Sequence, residues 1–547
     1  MAFVIPLALA GLAFVADRGI KIGQSTIVPS VPESSLDSQY QQQRGRGRRQ
    51  VNVSQPQLQI QNGPLYSVPG ATFIEDDNAR IARQLEEVEA TSELFEDRNA
   101  ARQAQDPQIE KLLNIVRSFI KDKQLVIYGG TALNALMPKQ DAFYDYAMEI
   151  PDYDFFSPNA QQDAMELADR FFAAGYRDAQ ARSGVHPGTY KVSANFTQLA
   201  DITQMDPKVL EQMDIVRQPD GLLYAGPIYL RIDLYKQLAE QTQPDRWSKV
   251  FKRMQLLNRN YPLPCKKDSI KPMLCLTANS LPADQLADVV VEFLRNKKSL
   301  DSTGLPIVGS TLLPLYEKLG YEISPELRAQ LENYKCLMKE VPAVDLFSMQ
   351  PKEDAVELVH MLSLAFPTQN FTLVAAPPAK EILEDRWVIT TAGGNRLVEL
   401  ARPEKCLAIT KVNDTYFGTL DTILAVMFSK LFVDTKLVSA QTKGKQLCLL
   451  QLLMDEIKNN AQFGASTGRY ARFPQVCYGP SQNLSDIFRE RWQERVNRLI
   501  AVHKGEAYPG SGAFSYRPND ISLARQGLVD QRLAVVDFPG EGKMSII

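Results

Sequence analysis

At 547 residues the chain exceeds what one hydrophobic core organises, and about two to four domains are expected. Hydrophobic residues at 44% and charged residues at 23% are ordinary globular values, and a formal net charge of -3 gives no global reason for a nucleic-acid partner, so any such binding must rest on local patches. Three dispersed histidines and six scattered cysteines without a C-x-x-C pair argue against a histidine triad and a Cys-rich zinc site; they predict reduced thiols in a cytosol-like compartment and leave carboxylates to do any catalysis.

The first segment, AFVIPLALAGLAFVA (2–16), is apolar and stops at Asp17 and Arg18. At ~1.5 Å per residue it falls short of a bilayer core of roughly 30 Å, and it lacks the basic start of a signal peptide. A packed or membrane-interfacial helix is expected, with a true anchor as the alternative; membrane or particle association stays open. Residues 19–70 are rich in Gln, Ser, Pro and Gly and cannot offset their ordering entropy, which predicts a disordered linker. Its QQQRGRGRRQ tract (41–50) reads either as a contact for phosphate backbones or as a solvated tether. A charged pattern over 72–98, with Ile81, Leu85, Val88, Leu94 and Phe95, predicts a lead-in helix.

KQLVIY (123–128) reads as a short strand ending on Gly129-Gly130, after which TALNALM begins a helix closed by Pro138. Glycines at such a turn let the backbone approach a ligand, and the helix N-terminus offers free N–H groups that suit a triphosphate. The Thr131 hydroxyl can cap that helix or reach a phosphate oxygen. By itself the glycine pair also fits a plain tight turn. PDYDFF (151–156) sharpens the reading, because Asp152 and Asp154 share one face of a strand. Two carboxylates held together repel unless a cation lies between them, and hard divalent ions such as Mg²⁺ or Mn²⁺ take oxygen ligands while leaving positions for phosphate.

An amphipathic helix, DAMELADRFFAAGY (163–176), follows, with Ala164, Ala168, Phe171 and Phe172 on one stripe. TYKVSANF (189–196) alternates as a strand, and TQLADIT (197–203) carries Asp201 among apolar neighbours. Asp201 is the expected third acid, since the preceding hairpin returns its strand early; Asp233 in YLRIDLYK is the rival. Lys191 in TYKV is a candidate contact for the triphosphate. RWSKVFKRMQLLNR (246–259) is an amphipathic helix whose Trp247, Val250, Phe251, Met254 and Leu257 are expected in the core. Its Lys249, Lys252 and Arg253 form either a solvated face or a contact for RNA phosphates.

Glycines for a triphosphate and an acid triad for two metals resemble the nucleotidyltransferase superfamily of DNA polymerase beta and the poly(A) polymerases. YGGTALN, PDYDFFSP, TYK and LADIT resemble more closely the poly(A) polymerase catalytic subunit of large nucleocytoplasmic DNA viruses, over roughly residues 107–262. The resemblance implies a template-independent enzyme of mRNA processing that adds AMP from ATP to an RNA 3′ end. It implies Asp152, Asp154 and Asp201 as ligands of two Mg²⁺ or Mn²⁺ ions, and Gly129 and Gly130 as holders of the nucleotide phosphates. It also implies the host cytoplasm as location, with the virion, a homodimer and a processivity partner left open. Two alternatives stand beside it: a nucleotidyltransferase with another nucleotide or acceptor, and a non-catalytic, particle-associated RNA-binding scaffold.

The chain also repeats itself. IYGGTALNAL (127–136) aligns with IVGSTLLPLY (307–316), and YDFFSPNAQQDAMELADRF (153–171) with VDLFSMQPKEDAVELVHML (344–362). Asp154 meets Asp345, but Ala343 stands at the place of Asp152, and no counterpart of LADIT is evident. The expected architecture is therefore α/β (α+β): a catalytic nucleotidyltransferase domain at 107–265 and a degenerate copy at 266–440, preceded by the N-terminal segments (1–106) and followed by a helical region and tail (441–547). In that last region LSDIFRERWQERVNRLI (484–500) carries an apolar stripe through Leu484, Ile487, Phe488, Trp492, Val496 and Leu499 that is expected in the core. Beyond Tyr508 a Gly- and Pro-punctuated tail is expected to run over the surface.

Overall fold

A computed structural model describes residues 75–146, 149–186, 188–265, 281–300, 304–334, 339–378, 382–481, 484–504 and 514–518, with four further two-residue strand segments. The apolar stretch 2–16 and the arginine tract of the linker lie outside the described residues. Contacts divide the chain into one unit of residues 1–106 with 144–150, and a second of 107–143 with 151–547. In the first unit the lead-in helix is present as α1 (Glu75–Ala104), with Ile81, Leu85, Val88, Leu94 and Phe95 all exposed.

The second unit contains two eight-stranded mixed sheets. The first holds β1 (Val126–Ile127), β2 (Tyr153–Ser157), β3 (Gln180–Ser183), β4 (Thr189–Ala194), β5 (Thr197–Gln204), β6 (Ile215–Arg217) and β7 (Leu223–Ala225). Their order is β3-β4-β5-β2-β1-β7-β6, and Ser515–Tyr516 adds a strand at the β3 edge. The second sheet holds β8 (Ile307–Ser310), β9 (Val344–Phe347), β10 (Phe371–Ala376), β11 (Leu383–Thr391), β12 (Arg396–Pro403), β13 (Leu407–Val412) and β14 (Thr415–Gly418). Its order is β10-β11-β12-β9-β8-β14-β13, with Cys477–Tyr478 paired to the β13 edge.

Strand for strand the two sheets repeat one topology. β1/β2 and β8/β9 are antiparallel, β2/β5 and β9/β12 are parallel, and β1/β7 and β8/β14 are parallel. The repeat extends to side chains. On α2 (Pro107–Lys123), Lys123 bonds Asp163 at 2.6 Å, and the Ser157 hydroxyl donates to the same carboxylate at 2.5 Å. In the second copy Lys297 bonds Asp354 at 2.7 Å, and the Ser348 hydroxyl donates to Asp354. Each lysine also lies over the ring four residues before it, Phe119 at 5.1 Å and Phe293 at 5.5 Å. Two independent folds would not reproduce a buried Ser-Asp-Lys set at matching places, so the duplication read from the sequence is structural.

The copies meet through the helix that follows each closing hairpin, α5 (Pro227–Ala239) and α11 (Leu420–Val433). Both helices are apolar on most faces, as a helix enclosed on all sides must be. Tyr235 stacks on Phe428 with centroids 5.8 Å apart, and Tyr229 meets Phe432 edge-on at 5.7 Å. A Glu240–Lys405 ion pair at 3.0 Å adds a polar tie.

Three expectations are corrected. Cys265–Cys448 and Cys406–Cys477 are disulfides, with Cα atoms 4.6 Å and 5.2 Å apart, in place of reduced thiols. Separations of 183 and 71 residues hid these pairs, since only tertiary folding brings their Cα atoms into bonding range. Two residues of the stripe on the C-terminal helix (Leu484–His503) are not core, since Phe488 is 45% and Trp492 64% exposed. Helical periodicity identifies an apolar face but does not say that anything covers it. The tail does more than run over the surface, because Tyr516 is buried, its strand pairs with β3, and its hydroxyl donates to Asp169 at 2.5 Å.

Candidate active site

The glycine turn forms as expected. β1 ends at Ile127, and α3 (Gly129–Leu136) starts directly on the glycine pair, with Tyr128 as its N-cap. Gly129 has φ +68°, and a Cβ there would lie 2.9 Å from Asp154 Oδ2, so the backbone passes this carboxylate at a distance only glycine allows. The Tyr128 N–H donates to the Asp154 carbonyl at 2.8 Å, and the Thr131 hydroxyl donates to the Asp152 carbonyl at 2.6 Å. Thr131 therefore ties α3 to the chain entering β2 and positions Asp152. Alanine at Gly129 combines a left-handed backbone with that close approach, and should cost about 1–3 kcal/mol of stability. Turnover should fall by more than tenfold as Asp154 is displaced; urea unfolding and initial rates read the two effects, and a rate within twofold of wild type would remove the close approach from the mechanism.

β2 and β5 run parallel with Asp154 directly beside Asp201. Asp201 is 5% exposed, whereas Asp152 and Asp154 are half-buried. Lys191 on β4 sits opposite Asp201 and bonds its Oδ2 at 2.7 Å, while Gln198 Nε2 donates to its Oδ1 at 2.8 Å. Asp233, the rival third acid, lies on α5 and accepts from Gln237 at 2.9 Å, so it does not share the strand that pairs with β2. Lys191, expected at a phosphate, neutralises Asp201 here. Gln198 was missed. Residues three apart on a regular strand face opposite ways, but the register shifts between Val192 and Ser193 across from this stretch, and the irregularity lets Gln198 reach Asp201.

The donor set fits a hard divalent cation: only carboxylate oxygens are offered, two from adjacent strands and one from two residues earlier. Among the described residues no three His, Cys, Asp or Glu side chains already converge on one point, and Asp201 is satisfied by an ammonium and an amide.

The second copy shows the opposite solution. Asp345 lies beside Glu399 on β12, the place that Asp201 holds in the first copy. The sequence expectation that Asp345 stands alone is thus corrected; LVEL (397–400) replaces LADI (199–202), and the longer acid concealed the match. Lys430 on α11 reaches between the two acids, 2.5 Å from Asp345 and 3.2 Å from Glu399. Buried Arg386 bonds Glu399 at 2.8 Å and Asp434 at 2.7 Å. Burial would raise the Glu399 carboxyl, but Lys430 and Arg386 outweigh it and hold the group at about 2; burial pushes the Asp345 carboxyl up against the pull of Lys430. Ala343 stands at the third position. An internal ammonium fills the second site.

On the basic helix α6 (Trp247–Asn260), Val250, Met254 and Leu257 are buried as expected, and Trp247 stacks on Phe473 at 4.5 Å. Of its cations, Lys252 is exposed, and Arg253 lies 4.7 Å from the Phe143 ring centroid.

Residues 114–243 match the family model described as poly(A) polymerase catalytic subunit. A protein of Acanthamoeba polyphaga mimivirus named "Putative poly(A) polymerase catalytic subunit" is 25% identical over 261 residues, 46% of this chain and 44% of that protein. Its namesake from African swine fever virus (isolate Tick/Malawi/Lil 20-1/1983) is 32% identical over 171 residues, 30% of this chain and 36% of the relative. The aligned part thus spans less than half the length of these curated relatives. The crystal structure of the Megavirus polyadenylate synthase superposes with a TM-score of 0.61 at 20% identity, covering 89% of this chain and 95% of that one, a likeness of fold. The resemblance to viral poly(A) polymerase catalytic subunits carried by YGGTALN, PDYDFFSP and LADIT is therefore shown in sequence over residues 114–243 and in fold over most of the chain.

Proposed function

We propose that the chain is a template-independent RNA 3′-end nucleotidyltransferase that adds AMP from ATP to mRNA. The observation that carries this reading is Asp154 placed beside Asp201 on parallel strands, under a glycine turn that approaches the same carboxylate. A scaffold would gain nothing from keeping like charges adjacent, and in the second copy a single ammonium, Lys430, bonds both acids of the matching pair.

Asp152, Asp154 and Asp201 would hold two Mg²⁺ or Mn²⁺ ions. Bound there, the ions would supply charge stabilisation for the transferred phosphoryl group and lower the pKa of the attacking 3′-hydroxyl. The protein's own contribution is orientation. The N-terminus of α3 presents backbone N–H groups beside Gly129 and Gly130, where a triphosphate gains from the helix dipole. Lys191, already at Asp201, supplies a cation that a phosphate oxygen can share. Thr131 holds Asp152 in place through its carbonyl. ATP as the nucleotide follows the family likeness, since no base-reading residue is identified.

Incubating the protein with a short labelled RNA, magnesium or manganese, and each nucleoside triphosphate separately tests the reading. Ladder extension with ATP alone is expected. Extension with another nucleotide favours a different nucleotidyltransferase, and none with any nucleotide favours the scaffold.

A further inference from the structure

The hairpin between β4 and β5 is closed by two residues, Asn195 and Phe196, since Ala194 pairs with Thr197. Both have left-handed backbones, with φ +51° and +58°. Such a two-residue turn favours Asn or Asp followed by Gly, and Asn195 obeys that preference. Phe196 does not. A bulky residue is a rare occupant of the left-handed region, and here its ring packs on nothing, being 95% exposed. The turn is nevertheless held firmly, because the Asp178 carboxylate accepts the Asn195 N–H at 3.0 Å and the Phe196 N–H at 2.7 Å. The chain therefore tolerates a strained backbone and an exposed aromatic at one place and braces that place from below. Strain over-determined in this way, and unrewarded by packing, points to a ligand.

The topology says which ligand. β5 runs parallel to β2 with Tyr153 beside Ala200, and β1 runs antiparallel to β2 with Ile127 beside Phe155. Gly129, Asp152 and the Asn195-Phe196 turn consequently emerge at one end of the sheet. Phe196 lies five residues before Asp201, roughly 16 Å along the strand at ~3.3 Å per residue. That distance is too great for contact with the group reacting at Asp201. Arg177, next to Asp178 in sequence, is exposed and lies over the Phe172 ring at 4.6 Å. An exposed ring on a turn braced by Asp178 is suited to sequence-tolerant stacking of single-stranded nucleic acid.

We propose that Phe196 is a stacking residue for a base of the RNA acceptor upstream of the reacting 3′ end. This deepens the polymerase reading and rests on it for the identity of the acceptor. Phe196→Gly is the direct test, because glycine relieves the strained backbone and cannot be excused as misfolding. Its unfolding midpoint should rise by about 1–4 °C. KM for RNA should rise about 5- to 50-fold while KM for ATP and kcat stay near wild type, and Phe196→Trp should restore RNA use. Fluorescence anisotropy with a labelled oligo(A) RNA reads the same comparison without turnover. A wild type that binds this RNA but extends nothing defeats the polymerase reading alone. An unchanged RNA KM and affinity in Phe196→Gly overturns the stacking proposal, including the case in which the ring serves a protein partner.

Discussion

Alanine at Asp154 is expected to lower nucleotide addition by at least ~10³-fold, the loss that follows when charge stabilisation of a transferring phosphoryl group is removed. Asp152→Ala should behave alike, because the two acids stand two residues apart where the chain enters β2. RNA affinity by anisotropy should survive in both, since it rests on other groups. Asp201→Ala should match them in rate, and Asp233→Ala, on a helix with its carboxylate bonded to Gln237, should keep most activity. Near-normal turnover in Asp201→Ala with a dead Asp233→Ala would transfer the third-ligand role to α5. Full activity in Asp154→Ala would end the metal reading of the first copy.

Lys430→Met should produce the largest stability loss, about 3–5 kcal/mol in urea unfolding, because it strands two adjacent buried carboxylates without their ammonium. The pH dependence gives the sign. In wild type the Glu399 carboxyl is held at about 2, so its contribution is present above the ordinary carboxylate range and fades as pH falls towards 2. Without Lys430 the Asp345 carboxyl, already raised by burial, rises further, and Glu399 loses one of the cations that hold it down, so the folded form of the variant binds more protons than that of wild type as pH falls. The gap between variant and wild type should therefore be widest near neutral pH and narrow on acidification. Adding Asp345→Asn to Lys430→Met should recover much of the loss by removing one of the two charges. Asp345→Ala alone should leave turnover within a few-fold of wild type. Loss of turnover in that variant, with the protein folded, would mean that the second copy is a working centre.

Local sequence was enough to determine the parts whose physics is local. Strand alternation placed Asp152 and Asp154 two residues apart at the entry to β2, and the glycine pair marked a turn whose left-handed Gly129 passes close to Asp154. The YDFFS/VDLFS and DAMEL/DAVEL matches exposed a duplication that the two sheets repeat strand for strand. Helical spacing identified the apolar faces of α6 and the C-terminal helix equally well, yet Val250, Met254 and Leu257 are buried while Phe488 and Trp492 are exposed, because coverage depends on what folds against each face. Glu399 escaped notice for a related reason: an acid on a strand is recognisable as a partner of Asp345 only once β12 lies beside β9. Lys430, 85 residues from Asp345, and both disulfides are likewise products of long-range packing. Phe196 was visible as a letter in SANF, but its strain and exposure exist only in the closed hairpin. The sequence by itself determined that Asp152 and Asp154 stand together; the tertiary structure decided that Asp201 and Glu399 join Asp154 and Asp345, and that Lys191 bonds Asp201 alone while Lys430 bonds both acids of the second copy, since those contacts depend on which strands and helices pack together.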